Sequence, residues 1–261
     1  MLTRLARIAI GTSLAAALAA PALAGRIIVN HDEWTLSQTG ANAAGAANVS
    51  TFVGNVASFM NSNGGGCSFL VYSSNGLAFA QAPFTNAMAA AGCGLTTYTG
   101  PFNAGLGTLA NYDGVFLATP PSTYIPADLT AYVNAGGSAY IAAGTGVGGA
   151  AVEAALWNAF LNGFGLTLGS PYNGCCGVDP MQQSHPIEAG VTQLYYDNGN
   201  TVSLFGGNPN AQIIEASSQG LGLIGVYNNV AQVPEPDTLA LLGLAVLLVL
   251  GARRSTRRVR S

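Results

Sequence analysis

Short apolar runs bounded by Gly, Pro, Asn and Ser recur through the middle of the chain. Up to residue 165 they alternate with segments whose apolar positions repeat every three to four residues. The first pattern predicts strands buried on both faces, the second amphipathic helices. Strands are expected over 27–30, 68–73, 95–99, 114–118 and 138–143, and helices over 46–61, 84–91, 126–135 and 149–163. Phe52, Val53, Val56 and Phe59 share one face of the first helix, and Val152, Leu156, Phe160 and Leu161 are expected to form the core face of the last. Pro126 opens its helix and Gly136-Gly137 closes it. Beyond 165 the pattern shortens to strands and turns, at 166–168, 201–205, 212–216 and 221–227. Strand and helix in alternation predict an α/β domain: a mainly parallel sheet with helices on both faces and antiparallel strands added late.

Both ends depart from this pattern. Arg4 and Arg7 precede an apolar run over 8–20, followed by Pro21 and Ala22-Leu23-Ala24. That order predicts a secretory signal helix over 1–24, cleaved so that Gly25 becomes the first residue. A retained anchor is the alternative, for which about 20 strongly apolar residues are needed. At the other end Val233-Pro234-Glu235-Pro236-Asp237 leads into an apolar stretch over 238–252, then Arg253, Arg254, Arg257, Arg258 and Arg260. As a transmembrane helix the stretch reaches about 22 Å against about 30 Å of hydrocarbon, and the Arg cluster holds the tail on the cytoplasmic side.

The Pro234-Glu235-Pro236 triplet, the Leu-rich helix and the Arg tail, in that order, resemble a PEP-CTERM sorting signal occupying 232–261. The resemblance implies an exosortase as partner, a membrane cysteine transpeptidase of Gram-negative bacteria that make exopolysaccharide, besides the general secretion machinery. It also implies membrane anchoring through the tail before processing, then a place at the cell surface or in the extracellular matrix, with polysaccharide as a further candidate partner. An uncleaved inner-membrane anchor is the alternative.

Composition narrows what the intervening domain, 25–231, can do. Charged residues are 7% of the chain, far below the usual quarter, and there is no Lys. Between Gly25 and Val233 Arg26 is the only base against nine Asp and Glu, a balance of −8. Such a domain repels nucleic acid, which excludes that partner. Cys67, Cys93, Cys175 and Cys176 sit in the exported part, where disulfides persist. Cys67 and Cys93 can each bridge to one of the adjacent pair, or can bridge to each other with Cys175 and Cys176 free. The spacing matches no zinc pattern and His31 and His185 are the only histidines, so neither metal nor cofactor is expected.

Tyr112-Asp113-Gly114-Val115-Phe116-Leu117, the segment 129–137 with the strand and Gly-rich turn after it, and later His185-Pro186-Ile187 with Gly190-Val191, resemble class I glutamine amidotransferase-like proteins and their trehalose-utilisation-like relatives. The resemblance covers about 65–227 and implies that fold, or a flavodoxin-like one, with a nucleophilic Cys at the elbow after strand 138–143. Thr145 stands at that elbow. An internal Thr has neither a thiolate nor a free amine to activate it, so acyl transfer is not expected even with His185 and Glu188 in the places of the family's His and Glu. Gly144-x-Gly146-x-x-Gly149 has the form of a dinucleotide fingerprint but lacks the acidic partner and the first-strand position, and reads as a tight strand-to-helix turn.

His31-Asp32-Glu33-Trp34 is the densest chemistry, placed after the first strand where open α/β sheets bind ligands. The cluster can bind a cation or stack a sugar ring. Alternatively Asp32 or Glu33 caps a turn and Trp34 seals the core. Asp179 and His185 join the cluster if the loop 171–186, with Tyr172 and Asn173, folds over it. A non-catalytic binding or structural domain is the leading expectation, and a secreted hydrolase using His31, Asp32, Glu33 and His185 is the rival.

Overall fold

The computed structural model describes residues 25–61, 66–72, 79–98, 109–119 and 126–229. The signal-helix, transmembrane-helix and sorting-tail readings lie outside them. Among the described residues no helix is long and apolar enough to cross a membrane.

Eleven strands and five α-helices follow in the order β1 (Arg26–Asn30), α1 (Gln38–Ala44), α2 (Ala46–Met60), β2 (Ser68–Tyr72), α3 (Ala82–Ala90), β3 (Gly94–Tyr98), β4 (Gly114–Leu117), α4 (Pro126–Asn134), β5 (Ser138–Ala142), α5 (Ala150–Leu161), β6 (Leu166–Tyr172), β7 (Gly177–Pro180), β8 (Gln193–Tyr196), β9 (Asn200–Leu204), β10 (Ala211–Ala216) and β11 (Gly222–Asn228), counted among the described residues. Seven strands form one sheet in the order β10-β11-β1-β5-β4-β2-β3. The five from β1 to β3 along this order are parallel, and β11 and β10 are antiparallel additions. The ribbons β6–β9 and β7–β8 are separate antiparallel pairs.

Alternate residues of each parallel strand feed opposite cores, because successive side chains leave a strand on opposite faces. Ile28, Phe69, Val71, Phe116 and Tyr140 meet Phe52, Val53 and Val56 of α2 and Phe84 and Met88 of α3. Ile27, Val29, Val115, Leu117 and Ile141 meet Leu129 and Val133 of α4 and Trp157, Phe160 and Leu161 of α5. The helices therefore cover both faces. Leu194 and Tyr196 of β8 extend the first layer, and Leu166 and Leu168 of β6 with Val202 of β9 extend the second.

The helix α5 corrects one expectation. Val152 and Leu156 are 50% and 44% exposed, while Glu153, Ala154, Trp157, Phe160 and Leu161 face inward. The helix is apolar nearly all round, so the spacing of its apolar residues does not single out the buried face. Glu153, its one charged residue, is fully buried.

Cys67 is bonded to Cys93, and Cys175 to Cys176. The first bridge closes a 26-residue loop that carries β2 and α3. Replacing both Cys67 and Cys93 by Ser is expected to lower unfolding free energy by about 3 kcal/mol. Urea unfolding of the variant and of the parent without reductant checks this, together with non-reducing peptide mapping, and equal midpoints would remove the bridge from the folded state.

Candidate functional site

The direction of each crossover decides where a crevice can open. The chain leaving β1 passes to the α1–α2 face, whereas the chain leaving the neighbouring β5 passes to the α5 face. Between their carboxyl ends the loops part, and the residues after Asn30 meet those after Ala143. The contact is close, since a side chain at Gly144 would press on the His31 carbonyl and Asp32 backbone.

Asp32 holds one wall. Its Oδ1 accepts from Trp34 N–H at 3.2 Å and its Oδ2 from Asp197 N–H at 2.8 Å, fastening the β1 loop to the β8–β9 turn. It caps the 3-10 turn Glu33–Leu36, while Asn30 receives Asp32 N–H at 3.2 Å and donates to the Tyr140 hydroxyl at 3.0 Å. Burial raises the Asp32 carboxyl to about 7 against the lowering effect of its two backbone donors. Glu33 and His31 are buried beside it. Burial lowers His31 to about 3, so its ring is neutral. Asn173 Nδ2 stands 3.4 Å from His31 Nδ1, Tyr196 lies 5.3 Å from the ring, and Nε2 is enclosed with no hydrogen-bond partner among the described residues.

Glu153 holds the other wall. Its Oε1 accepts from Thr145 N–H at 3.2 Å and from the Thr145 hydroxyl at 2.8 Å, its Oε2 accepts from the Tyr172 hydroxyl at 3.1 Å, and Gly144 N–H also donates to the carboxylate. Gly146 N–H donates to the same Tyr172 oxygen at 3.0 Å. Glycines at φ +73° and +76° flank Thr145, which is itself outside the left-handed region and so lacks the strained conformation of a nucleophile elbow. The Gly-rich turn does aim N–H groups at an anion at the start of a helix. That anion is the protein's own Glu153 carboxylate, seated where a dinucleotide's phosphate would need the same donors. Burial raises the Glu153 carboxyl, and burial with the neighbouring carboxylate pushes Tyr172 up to about 12.

His185 is elsewhere. Its Nδ1 accepts from Ile187 N–H at 3.3 Å, capping the turn Pro186–Glu188, and its ring packs 5.2 Å from Phe59. The Arg26 guanidinium lies 4.7 Å over that same Phe59 ring. The His185 ring thus shares Phe59 with the Arg26 guanidinium, whereas His31 packs on Tyr196 and stands by Asn173. Asp179 sits in β7, with Glu188 and Glu215 around Tyr196. Glu215 accepts from Gln182 N–H at 2.9 Å, and Glu188 from Ser184 N–H at 2.7 Å and His185 N–H at 3.1 Å. Burial raises Glu215 to about 7 and also raises Glu188 and Asp179. Among the described residues no three His, Cys, Asp or Glu are grouped to hold a metal ion.

Of the sequence-level candidates, the structure thus brings together His31, Asp32 and Glu33 and leaves His185 apart. From the loop 171–186 it brings Tyr172 and Asn173, and it adds Glu153 and Asp197. The signal for Glu153 was one acid in an otherwise apolar helix eight residues after Thr145. Acid–base work needs a group within reach of a substrate proton, and His31, Asp32, Glu33 and Glu153 are all shut off from solvent. The partly exposed side chains around them are Trp34, Thr145, Tyr172, Asn173 and Tyr195, with Asp197 exposed.

Residues 232–258 match the PEP-CTERM protein-sorting motif. The motif marks the chain as an exosortase target, and it implies export, a membrane-anchored state and then exposure at the surface of a Gram-negative bacterium. Comparison with curated proteins and with solved structures finds no match.

Glu153→Ala is expected to destabilise the domain by about 3 kcal/mol, because it leaves the part-buried donors of Thr145 and Gly144 without their acceptor and empties a buried seat. Glu153→Gln, which keeps an acceptor for Thr145, is expected to lose less than half as much. Urea unfolding of both variants checks the order, and equal losses would point to packing alone.

The buried acids also set a pH dependence. A carboxyl raised on folding contributes stability that is present below its unfolded value near 4 and lost as pH rises through its folded value. For Asp32 and Glu215 that loss runs progressively from near pH 4 to near pH 7, where it is complete, and Glu153, Glu188 and Asp179 act in the same direction. His31 and His185, lowered on folding, oppose this only below about 6.5. The unfolding midpoint is therefore expected to rise from pH 8 to pH 6.5 and to keep rising toward pH 5, less steeply than the acids alone would give because the two histidines oppose it. Asp32→Asn is expected to shrink the rise. Thermal midpoints at the three pH values check it, and a midpoint falling between pH 8 and 6.5 would contradict it.

Proposed function

We propose that the chain is exported by a cleaved leader over 1–24, held in the membrane by 238–252 with its flanking arginines, and cut by an exosortase near Pro234-Glu235-Pro236. The domain over 25–231 then acts at the cell surface or in the exopolysaccharide matrix as a binding or structural module, not as a catalyst. The match over residues 232–258 carries this reading.

The state of the candidate side chains supports the non-catalytic part. Asp32 and Glu153 fasten loops through backbone donors, His31 is a buried neutral ring, and Thr145 donates its hydroxyl to Glu153. The partly exposed groups at the crevice, Tyr172, Asn173, Tyr195 and Thr145, offer an aromatic ring face, hydroxyls and an amide. That is the vocabulary for a neutral polar ligand such as a sugar chain. The strand order β3-β2-β4-β5 favours a flavodoxin-like arrangement, with β1 taking the fifth place beside β5.

Intact mass and terminal sequencing of the chain recovered from the host's surface and medium test the proposal. A chain starting at Gly25 and ending near 234–237 is expected. In the Glu235→Ala variant the mass is expected to grow by the retained tail, and the protein should stay with the membrane fraction. A parent chain that keeps 239–261 at the surface would make the tail a plain anchor and overturn the processing.

A further inference from the structure

Gly25 is buried at the head of β1, where a side chain would overlap the Val133 carbonyl oxygen and crowd Val133 Cγ1. Only glycine fits this seat, against the last turn of α4. The carbonyls of that turn are already used: Ala131 accepts from Ala135 N–H, Tyr132 from Gly137 N–H and Val133 from Gly136 N–H, each at 3.0 Å. What the turn lacks is charge. A nine-residue helix presents partial negative charge at its carboxyl end, and α4 has no basic residue in its last turn. The one arginine nearby, Arg26, is turned to the Phe59 ring and to Asn228 Oδ1 at 3.1 Å.

We infer that removal of the leader completes the domain by placing a new α-ammonium group against the carboxyl end of α4. The inference rests on the proposed cleavage between Ala24 and Gly25. Water adds across that peptide bond, a carboxylate leaves with Ala24, and the amide nitrogen of Gly25 becomes an ammonium on the α-carbon that abuts the Val133 carbonyl. The uncleaved chain has a neutral amide there. Processing then stabilises the fold by the charge–dipole interaction, and the unprocessed chain, lacking it, unfolds more readily while it awaits export.

The test compares three forms of the chain, all ending at Ser261 in one detergent at pH 6.5, where an α-amine is protonated. One starts at Gly25, one at N-acetylated Gly25, and one retains Ala24. The form with the free Gly25 amine is expected to have an unfolding equilibrium constant in urea roughly three- to thirtyfold below the other two. Equal constants overturn the inference and leave the leader reading standing. A host-derived chain that starts elsewhere than Gly25 removes the leader reading, and with it the premise of the inference.

Discussion

The domain buries five carboxylates, Asp32, Glu33, Glu153, Glu188 and Glu215, in a fold whose one arginine is occupied at the far end of β1. Removing a carboxylate from water costs several kcal/mol unless its oxygens are met. With no cation to offer, the chain meets four of them with backbone N–H groups. Three of them, Asp32, Glu153 and Glu215, sit where two segments join. Asp32 ties the β1 loop to the β8–β9 turn, and Glu153 ties the turn after β5 to α5 and, through Tyr172, to the end of β6. Glu215 pins Gln182 beside β10, and Glu188 closes the turn that begins at Ser184. The parallel core forms by apolar burial, but the loops at its carboxyl ends take their shape from these acids.

The same device closes the sites that the topology opens. A crevice between β1 and β5 with a Gly-rich turn and a helix start would ordinarily receive an anion. Glu153 comes from the first turn of that very helix and occupies the donors from within. Asp32 likewise spends both oxygens on backbone. What is left toward solvent is a rim of hydroxyl, amide and aromatic groups, suited to contact and poorly suited to proton transfer.

How much of this was legible followed from the range of the interaction. The strands β1, β2, β4 and β5 are short apolar runs, and local sequence marks them well. The small helix α1, a Gln, Gly and Ala segment set off by Ser37 and Gly45, has no apolar stripe to announce it. The strands β7 and β8 were invisible because they are short, and their pairing joins segments far from any hairpin signal. Face assignment failed in α5, where apolar residues surround the helix and only Trp157 and Phe160 packing selects the inner side. The cluster at His31 was visible by residue type, but its role was not. That Asp32 meets Asp197 across 165 residues, and that His185 packs on Phe59 rather than beside His31, depends on tertiary contacts that no spacing encodes.

Drawing every glutamate of the domain inward also decides what the outside can be. Among the described residues the remaining acids are Asp113, Asp128, Asp179 and Asp197, so the surface is mainly amide, hydroxyl and small apolar groups. The ends of the domain add a direction to this. Asn229 N–H donates to the Gly25 carbonyl at 3.3 Å, so the chain enters and leaves the sheet at one end of β1, while Thr145, Tyr172 and Asn173 lie at the other. The five parallel strands therefore separate the points of attachment from the rim.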